Sequence, residues 1–418
     1  METITKDLLR LATIGSVDDG KSTLIGRLLV DTRQLFDDQL DAVAAASEKR
    51  GVGDLDLSFV TDGLRAEREQ GITIDVAYRY AATPSRKFII ADCPGHVQYT
   101  RNMATGASTA DLALVVLDVA HGLKEQTRRH LCIAALLGVS TLVVAVNKMD
   151  AVQWSESAFR GVFDEVQTVA RELDFADVTT IPVCALLGDN VVESSTNTAW
   201  YEGPTVLEAL ESSQAGAWTT SRQGARLAIQ WVLRQPGGGR TYAGMVNGDV
   251  VRIGDVVTLL PALVTTTITS ISVGGAPVLE AGVGLSIDVA LAHETDAGRG
   301  DLLASSPLPT VTRDLDATIC WFGDAPLRSG QRLRLKHTTK TTPVKIVSLN
   351  GVVDIATLRI EPTEQFETNE IGLVTLQTAD YLVVDDYREN RVTGSFVLID
   401  EVTNATVAAG MVGRAAFL

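Results

Sequence analysis

The stretch GSVDDGKS at residues 15–22 decides the fold of this chain. It matches the pattern G-x-x-x-x-G-K-[ST], in which glycines let backbone N–H groups wrap around a phosphate. The apolar run Leu8–Ile14 before it is typical of a buried strand, and Ser22–Leu29 after it has helical spacing. Strand, glycine loop and helix in this order predict a P-loop nucleotide site. Lys21 would reach the β- and γ-phosphates, and the Ser22 hydroxyl would ligate Mg²⁺.

A second apolar strand supplies the other groups expected near the phosphates. Residues 86–95 read RKFIIADCPG, so the strand ends in Asp92 and Gly95 follows three residues later. A carboxylate at a strand end can hold Mg²⁺, usually through water. A glycine beside it lets a backbone N–H approach the γ-phosphate and sense its loss.

The stretch LVVAVNKMD at residues 142–150 predicts which base is bound. The Asp150 carboxylate can accept two hydrogen bonds from the ring N–H and exocyclic amine of guanine. Adenine offers no such donor pair, so a buried carboxylate would stay unpaired against it. Asn147 would orient the loop and meet the base edge, and the Lys148 stem would cover one face of the ring. We therefore expect a guanine nucleotide.

These motifs resemble those of GTPases of the translation-factor superfamily, and the resemblance covers nearly the whole chain. EREQGITID at 67–75 is similar to the effector loop, which implies that Thr73 closes on Mg²⁺ and the γ-phosphate. PGH at 94–96, followed by YTRNMATG at 99–106, is similar to the second switch. The resemblance implies that His96 orients the attacking water; the alternative is a polar loop residue.

The tripeptide CAL at 184–186 is similar to the last guanine-contacting loop of the family, where Ser-Ala-Leu is usual. The resemblance implies that the key contact is the backbone N–H of Ala185, so that Cys184 in place of serine costs little. The predicted catalytic residues are His96, Lys21 and Thr73. The predicted metal ligands are Ser22, Thr73 and Asp92. The predicted nucleotide contacts are Gly15, Ser16, Val17, Asp18, Asp19, Gly20, Lys21, Ser22, Thr23, Asp92, Gly95, Asn147, Lys148, Asp150, Cys184, Ala185 and Leu186.

Within the superfamily, several stretches look like the GTPase subunit of bacterial sulfate adenylyltransferase. They are the Asp-Asp form of the P-loop and the segments at 75–80, 98–108, 200–205 and 410–412. The resemblance implies a separate catalytic ATP-sulfurylase subunit, which makes adenosine 5′-phosphosulfate and pyrophosphate from ATP and sulfate, with GTP hydrolysis helping to drive that uphill reaction. In some members an adenylylsulfate kinase follows the second barrel, so a kinase is a further partner to consider.

Two other functions are open at this point. An elongation factor that delivers aminoacyl-tRNA would share the fold and the GTP motifs. A chain that activates sulfate by itself would need a second nucleotide site, and the sequence has neither another Walker-type loop nor a Ser-Gly-Gly-x-Asp-Ser pyrophosphatase loop. The net charge of −16 is not that of a basic nucleic-acid binder, so nucleic acid is not expected as a partner.

The composition sets broad limits on the chain. Its 418 residues should form two or three domains. The four cysteines form no C-x-x-C pair, so neither a zinc site nor a disulfide framework is indicated. We expect a cytoplasmic protein, because the N-terminus lacks a signal-peptide pattern and no uncharged run is long enough to span a membrane.

The periodicity predicts an α/β P-loop GTPase domain followed by two all-β barrel domains. The predicted boundaries are 1–212 for the GTPase domain, 213–224 for a linker, and 225–307 and 310–418 for the barrels. Residues 31–70 are predicted to be a mobile switch region. The strand at 332–337 alternates basic and apolar residues, which favours a solvated outer face or, alternatively, a docking strip for an acidic partner or RNA.

Overall fold

The computed structural model describes residues 8–34, 57, 73–214, 223–234, 238–293, 295–415 and 417. The chain divides into two compact units, 1–216 with 355–358 and 417, and 217–354 with 359–416 and 418. The predicted domain boundaries stay predictions. Most of the predicted linker and of the predicted switch region at 31–70 lies outside the described residues, as does the effector loop up to residue 72.

The first unit contains one six-stranded sheet. Its strands are β1 (Leu8–Ile14), β2 (Ala77–Ala82), β3 (Lys87–Asp92), β4 (Leu112–Asp118), β5 (Thr141–Asn147) and β6 (Asp177–Pro182). Their order across the sheet is β2-β3-β1-β4-β5-β6. All neighbours are parallel except β2, which runs antiparallel to β3 at the edge. The fully buried strand β4 shows why the central strands read as unbroken apolar runs.

Five helices accompany this sheet in the described residues: α1 (Lys21–Asp31), α2 (Thr100–Ala107), α3 (Glu125–Leu136), α4 (Glu156–Glu172) and α5 (Val206–Ser212). The N-cap of α4 is Ser155, and the N-cap of α5 is Thr205, which forms a capping box with Glu208. Leu24 and Ile25 of α1 pack with Leu11 of β1 in the core of the unit. The strand–loop–helix order predicted around the P-loop is therefore confirmed.

The register of the sheet brings the chemically important strand ends to one edge. Thr13 pairs with Asp92 across β1 and β3, and Asp118 pairs with Asn147 across β4 and β5. Because parallel strands end on the same side, the loops after β1, β3, β4, β5 and β6 meet there. This edge is where an α/β sheet binds its ligand.

The second unit contains two closed barrels. The first is made of β7 (Arg226–Arg234), β8 (Arg240–Asn247), β10 (Val256–Leu260), β11 (Val264–Val273), β14 (Ser286–Leu291) and β15 (Leu302–Ala304). Its strands are antiparallel, and the pairing of β10 with β11 closes the ring. The short strands β9 (Val251–Arg252), β12 (Ala276–Val278) and β13 (Glu280–Ala281) flank it.

The second barrel repeats this design. Its six strands are β16 (Thr310–Trp321), β18 (Arg332–His337), β19 (Lys340–Val353), β22 (Ile371–Val384), β23 (Ser395–Ile399) and β24 (Thr406–Val412), and the pairing of β18 with β19 closes it. The strands β17 (Leu327–Arg328), β20 (Ile360–Glu361) and β21 (Gln365–Phe366) are short additions. Strand β18 alternates as predicted, with buried Leu333 and Leu335 between the basic residues. The predicted fold class is confirmed.

A buried ion pair joins the two barrels. The Arg226 guanidinium of β7 donates to both carboxylate oxygens of Asp385 at 3.0 and 3.1 Å, and both side chains are almost fully buried. The same guanidinium donates to the carbonyl oxygens of Ser305 and Pro307 in the connection between the barrels. The charge of Arg226 is therefore compensated on every side.

Candidate nucleotide-binding site

Lys21 begins α1 and is buried in the loop that precedes it. Its ammonium group donates to the carbonyl oxygens of Gly15 at 2.9 Å and Ser16 at 2.8 Å. Burial lowers the pKa of Lys21, while the carboxylates of Asp92 and Asp19 oppose this shift. The cation is thus held inside the loop by two backbone oxygens, and because an ammonium group has three N–H donors, it can also donate to a ligand.

Gly20 shows why the loop needs glycine. Its φ of +93° is in the left-handed region, and a Cβ there would collide with the side-chain amide of Asn147. The other loop residues differ in exposure: Val17 is half-buried, and Asp18 is exposed with a φ of +66°. Ser22 and Thr23 lie partly buried in the first turn of α1.

Asn147 at the end of β5 connects two of the predicted loops. Its amide nitrogen donates to the carbonyl oxygen of Asp19 at 2.8 Å. Its amide oxygen accepts the backbone N–H of Ala185 at 2.9 Å. The loop-orienting role predicted for Asn147 agrees with this geometry. The N–H of Ala185, predicted to contact guanine, has a protein acceptor here, so a contact with the base would share or replace that bond.

Lys148 has a left-handed backbone, with φ of +63°, and its ammonium group is 2.9 Å from Asp118 Oδ2 at the end of β4. The imidazole of His121 is 3.2 Å from the same oxygen. Burial raises the pKa of Asp118, but the bonds from Lys148 and from the N–H of Ala120 outweigh it, so the pKa lies below its usual range. The pair fixes the lysine stem beside the expected base.

Asp150 is contacted by the residue that departs from the family pattern. The Cys184 thiol donates to Asp150 Oδ1 at 3.2 Å. Burial raises the pKa of Cys184 to about 11, so the thiol keeps its proton at neutral pH. The side chain of Leu186 is 54% exposed, while its carbonyl oxygen and that of Ala185 accept hydrogen bonds from Arg27 of α1.

The end of β3 lies against the phosphate-binding loop. Asp92 is buried, and its Oδ1 accepts the Thr13 hydroxyl at 2.9 Å. A Cβ built on Gly95 would be 2.6 Å from Lys21 Nζ and 2.7 Å from the carbonyl oxygen of Gly15. Any side chain at position 95 would therefore push into the loop, which explains the need for glycine by close approach rather than by φ.

His96 begins a short 3₁₀ turn, Val97–Tyr99. Its Nδ1 accepts the N–H of Gln98 at 3.3 Å, and its ring lies 5.9 Å from that of Tyr99. It follows Gly95 directly, but its described contacts are with this turn rather than with the phosphate-binding loop. The position agrees with the predicted second switch, and the catalytic role stays a prediction.

Thr73 is the first described residue after the gap at 58–72, and it is partly buried. The carbonyl oxygen of the next residue, Ile74, accepts the Asn102 side-chain amide of α2 at 2.9 Å. The two predicted switch segments are therefore hydrogen-bonded to each other. Sequence reasoning included both stretches but assigned no role to Asn102.

Sequence reasoning also missed two contacts from the start of α3. The ammonium group of Lys124 lies 2.7 Å from Asp19 Oδ1, and the hydroxyls of Thr127 and Ser16 are 2.9 Å apart. Lys124 and Thr127 follow β4 by only a few residues. The segment from the end of β4 to the start of α3 therefore contacts two loops of the site: Asp118 contacts Lys148, and Lys124 contacts Asp19 of the P-loop. No local motif marks these residues, since their partners are about a hundred positions away.

Comparison with known proteins defines the class. The family described as "Elongation factor Tu GTP binding domain" matches residues 6–266, and "GTP-eEF1A C-terminal domain-like" matches residues 314–413. The fold and the site are those of an elongation-factor-type GTPase. Among solved structures, sup35 complexed with GMPPNP aligns over 99% of this chain and 96% of that chain at 24% identity. The TM-score of this alignment is 0.44.

Curated relatives narrow the class. "Sulfate adenylyltransferase subunit 1" of Laribacter hongkongensis is 45% identical over 98% of this chain and 86% of its own length. The protein of the same name from Aeromonas hydrophila is 46% identical, over 97% and 86%. "Bifunctional enzyme CysN/CysC" of Mycobacterium tuberculosis is 51% identical, over 97% of this chain and 67% of that protein. The chain belongs to the sulfate adenylyltransferase subunit 1 (CysN) family of elongation-factor-type GTPases.

Proposed function

We propose that this chain is the GTP-hydrolysing regulatory subunit of a sulfate adenylyltransferase. It couples GTP hydrolysis to the synthesis of adenosine 5′-phosphosulfate from ATP and sulfate by a partner catalytic subunit. The observation that carries the proposal is the identity of 45% with a subunit 1 protein over nearly the full chain. The close-packed nucleotide site supports it, because that site offers one P-loop and one guanine-selecting aspartate.

The alternative is an elongation factor that delivers aminoacyl-tRNA. It is less supported, because the relatives described above are named as subunits of sulfate adenylyltransferase or as CysN/CysC enzymes. The net charge of −16 weighs only mildly against binding tRNA, since a local basic patch can bind RNA on an acidic protein. Both functions use the same GTP chemistry, so only an assay of the second substrate separates them.

The phosphate-binding loop would hold the nucleotide through its backbone N–H groups and Lys21. Support comes from Lys21, which is buried and bonded to the loop, and from Gly95, which packs so closely on the loop that a Cβ there would lie 2.6 Å from Lys21 Nζ. A backbone N–H at Gly95 would be placed to sense the γ-phosphate. On the base side, Asp150 would select guanine and Asn147 would keep the two loops in register. Selection of the base would thus involve the loop after β5, and sensing of the γ-phosphate the loops after β1 and β3, all at one edge of the sheet.

The residues that would hold Mg²⁺ are Ser22, Thr73 and Asp92. Their oxygen donors suit this hard cation, and the buried Asp92 carboxylate at the end of β3 is oriented by Thr13. Bound there, Mg²⁺ would neutralise charge on the phosphate oxygens. Asp92 also interacts electrostatically with Lys21, which supports a shared location of metal and phosphate sites. The role of Thr73 would depend on the γ-phosphate being present.

His96 would orient the attacking water during GTP hydrolysis. Its place directly after Gly95 supports this, because Gly95 touches the loop that would hold the γ-phosphate. Orientation of a water needs only a hydrogen-bonding group at the right place, the role that glutamine has in other P-loop GTPases. Replacement by alanine should preserve nucleotide binding and slow single-turnover hydrolysis strongly.

The remaining parts of the proposal concern organisation and partners. The GTPase domain would comprise 1–212, with a linker at 213–224 and barrels at 225–307 and 310–418. The partner would be a catalytic ATP-sulfurylase subunit, with an adenylylsulfate kinase as an additional component in some systems. The protein would act in the cytoplasm; its four cysteines are buried and free, as reduced thiols should be there. None of the helices in the described ranges is long and apolar enough to span a bilayer.

The test is a reconstitution. The purified chain is mixed with ATP, sulfate, GTP, Mg²⁺ and pyrophosphatase, with or without a purified ATP-pyrophosphatase-type catalytic subunit. We expect adenosine 5′-phosphosulfate only when both proteins are present, and faster GTP hydrolysis in the mixture than in either protein alone. The Lys21→Ala and His96→Ala variants are matched controls for binding and hydrolysis. Sustained product without a second polypeptide would contradict the subunit assignment.

A further inference from the structure

A buried acidic side chain lies inside the phosphate-binding loop itself. The Asp19 carboxylate is fully buried, and its Oδ2 accepts the backbone N–H of Ser16 at 2.8 Å. This bond crosses the loop and fixes its shape. The loop is also the place where a nucleotide polyphosphate is expected, so a negative charge there opposes binding unless another group compensates it.

The compensating group comes from outside the loop. Lys124, the residue that precedes α3, places its ammonium group 2.7 Å from Asp19 Oδ1. A second contact holds the helix start in place, because the hydroxyls of Thr127 and Ser16 lie 2.9 Å apart and both residues are buried. The distance between Lys124 and Asp19 is therefore set by the packing of α3 against the loop.

The two partners differ in exposure. The Asp19 side chain is 0% exposed, whereas that of Lys124 is 34% exposed. A lysine that loses its partner can turn to solvent, but a buried carboxylate that loses its partner cannot. Asp19 also interacts electrostatically with Lys21, the cation of the loop. Without Lys124, the carboxylate would compete with the phosphates for Lys21.

We propose that Lys124 is a positioning residue of the nucleotide site, which neutralises Asp19 so that the phosphate-binding loop can hold the phosphates of a guanine nucleotide. The inference rests on the GTP-binding function proposed above. It predicts that the two partners have different effects on nucleotide affinity. Removing Lys124 lowers the affinity, and removing the charge of Asp19 in the same molecule restores it. A purely structural ion pair would show this asymmetry in thermal unfolding, while the nucleotide affinity of the folded variants would stay unchanged.

The test measures the affinity of fluorescent N-methylanthraniloyl GDP and GTP for the full chain. We compare wild type with Lys124→Met, Lys124→Arg and the double variant Asp19→Asn/Lys124→Met. Asparagine keeps an oxygen that can accept the Ser16 N–H while removing the charge. The matched control is Arg160→Met, which breaks an exposed ion pair with Glu156 on α4 of the same unit. Thermal unfolding of each variant is measured in parallel.

We expect Lys124→Met to weaken nucleotide binding about 10- to 100-fold. The loss should be larger for GTP than for GDP, because the triphosphate carries more negative charge. The double variant and Lys124→Arg should return to within a few-fold of wild type, and Arg160→Met should not change the affinity.

Wild-type affinity in Lys124→Met would overturn the proposal, and so would a double variant that melts like wild type but stays as weak as Lys124→Met. If the double variant does not fold, Lys124→Arg decides: affinity no better than that of Lys124→Met would overturn the proposal. Failure of the wild-type chain itself to bind guanine nucleotides would instead contradict the proposed function.

Discussion

The Cys184 thiol lies 3.2 Å from Asp150 Oδ1, so the carboxylate expected to select guanine is oriented by a sulfur donor. The thiol stays protonated at neutral pH, because burial raises the pKa of Cys184 to about 11. Because a thiol is a weak hydrogen-bond donor, the Cys184 thiol holds Asp150 less firmly than a serine hydroxyl in its place would. The departure of this chain from the usual Ser-Ala-Leu loop therefore changes a direct contact of Asp150, the residue proposed to select guanine.

Replacing Cys184 by serine should tighten this contact. We expect Cys184→Ser to bind GTP with equal or a few-fold higher affinity, and Cys184→Ala to bind it a few-fold more weakly, because a weak thiol donor to a carboxylate contributes on the order of 1 kcal/mol. Titration with a fluorescent GTP analogue measures both. Cys320→Ala, in the second barrel, is the control for cysteine removal. Tighter binding by alanine than by serine would contradict the orienting role of the thiol.

Asp150→Asn should change the preferred base. Xanthine has a carbonyl where guanine has its amine, and the asparagine amide can donate to that carbonyl where a carboxylate cannot. Each mismatched pair should cost roughly 1–3 kcal/mol. We expect GTP affinity to fall and XTP affinity to rise, measured by competition against one labelled nucleotide. An unchanged preference for GTP over XTP would remove Asp150 from the base site.

Asn102→Ala should separate the two switch segments. The variant loses the bond from α2 to the carbonyl oxygen of Ile74, the residue after Thr73. We expect GDP affinity to stay within about threefold, because a bond remote from the base and loop contributes on the order of 1 kcal/mol or less to it. In the reconstitution proposed above, GTP hydrolysis in the presence of the proposed catalytic subunit should fall. Thr105→Ala, on an exposed turn of the same helix, is the matched control.

Arg226→Met should destabilise the pair of barrels. It leaves the buried Asp385 carboxylate without its guanidinium, and the loss of one partner of a buried ion pair costs about 3–5 kcal/mol. Denaturant unfolding should show a lower midpoint, while nucleotide affinity should be retained. Arg388→Met breaks an exposed pair with Asp386 and should cost less than about 1 kcal/mol. Equal effects of the two variants would show that burial does not decide the cost.

His130 of α3 predicts a pH dependence of stability. Burial lowers its pKa to about 3, with the charges of Lys21 and Arg129 acting in the same direction. The unfolded chain takes up the proton near pH 6.5, so the contribution to stability is full above that pH and is lost as the pH falls toward 3. At pH 5 the loss should be roughly 2 kcal/mol.

The measurement is the change in the free energy of unfolding between pH 8 and pH 5. His130→Asn should change less across this range than wild type, although it starts from a lower stability. His293→Asn, at an exposed position, should follow the wild-type curve. A His130→Asn curve parallel to that of wild type would show that the imidazole is not the titrating group.

Contiguous motifs made the fold predictable and identified most residues of the candidate site. The P-loop, the segment ending in Asp92 and the stretch at 147–150 are short motifs whose chemistry depends on local spacing. The sheet brings the strands that precede them to one edge. The contacts of Asp19 with Lys124 and of Asn102 with Ile74 could not be predicted, because they depend on how helices pack on that sheet. The bond from Ala185 to Asn147 was missed for the same reason: it joins two loops through their register.

The closed barrels limit how this chain can recognise another protein. In the described residues, six antiparallel strands close each ring, and the short strands β12 and β20 extend the two barrel sheets beyond the closing pairs. Ring closure removes the free edge strands of an open sheet, so adding a partner's strand to such an edge, a common way to join two sheets, is disfavoured on the barrels. We expect the barrels to recognise a partner protein mainly through their side chains. Their surfaces can therefore differ between relatives while the architecture stays the same.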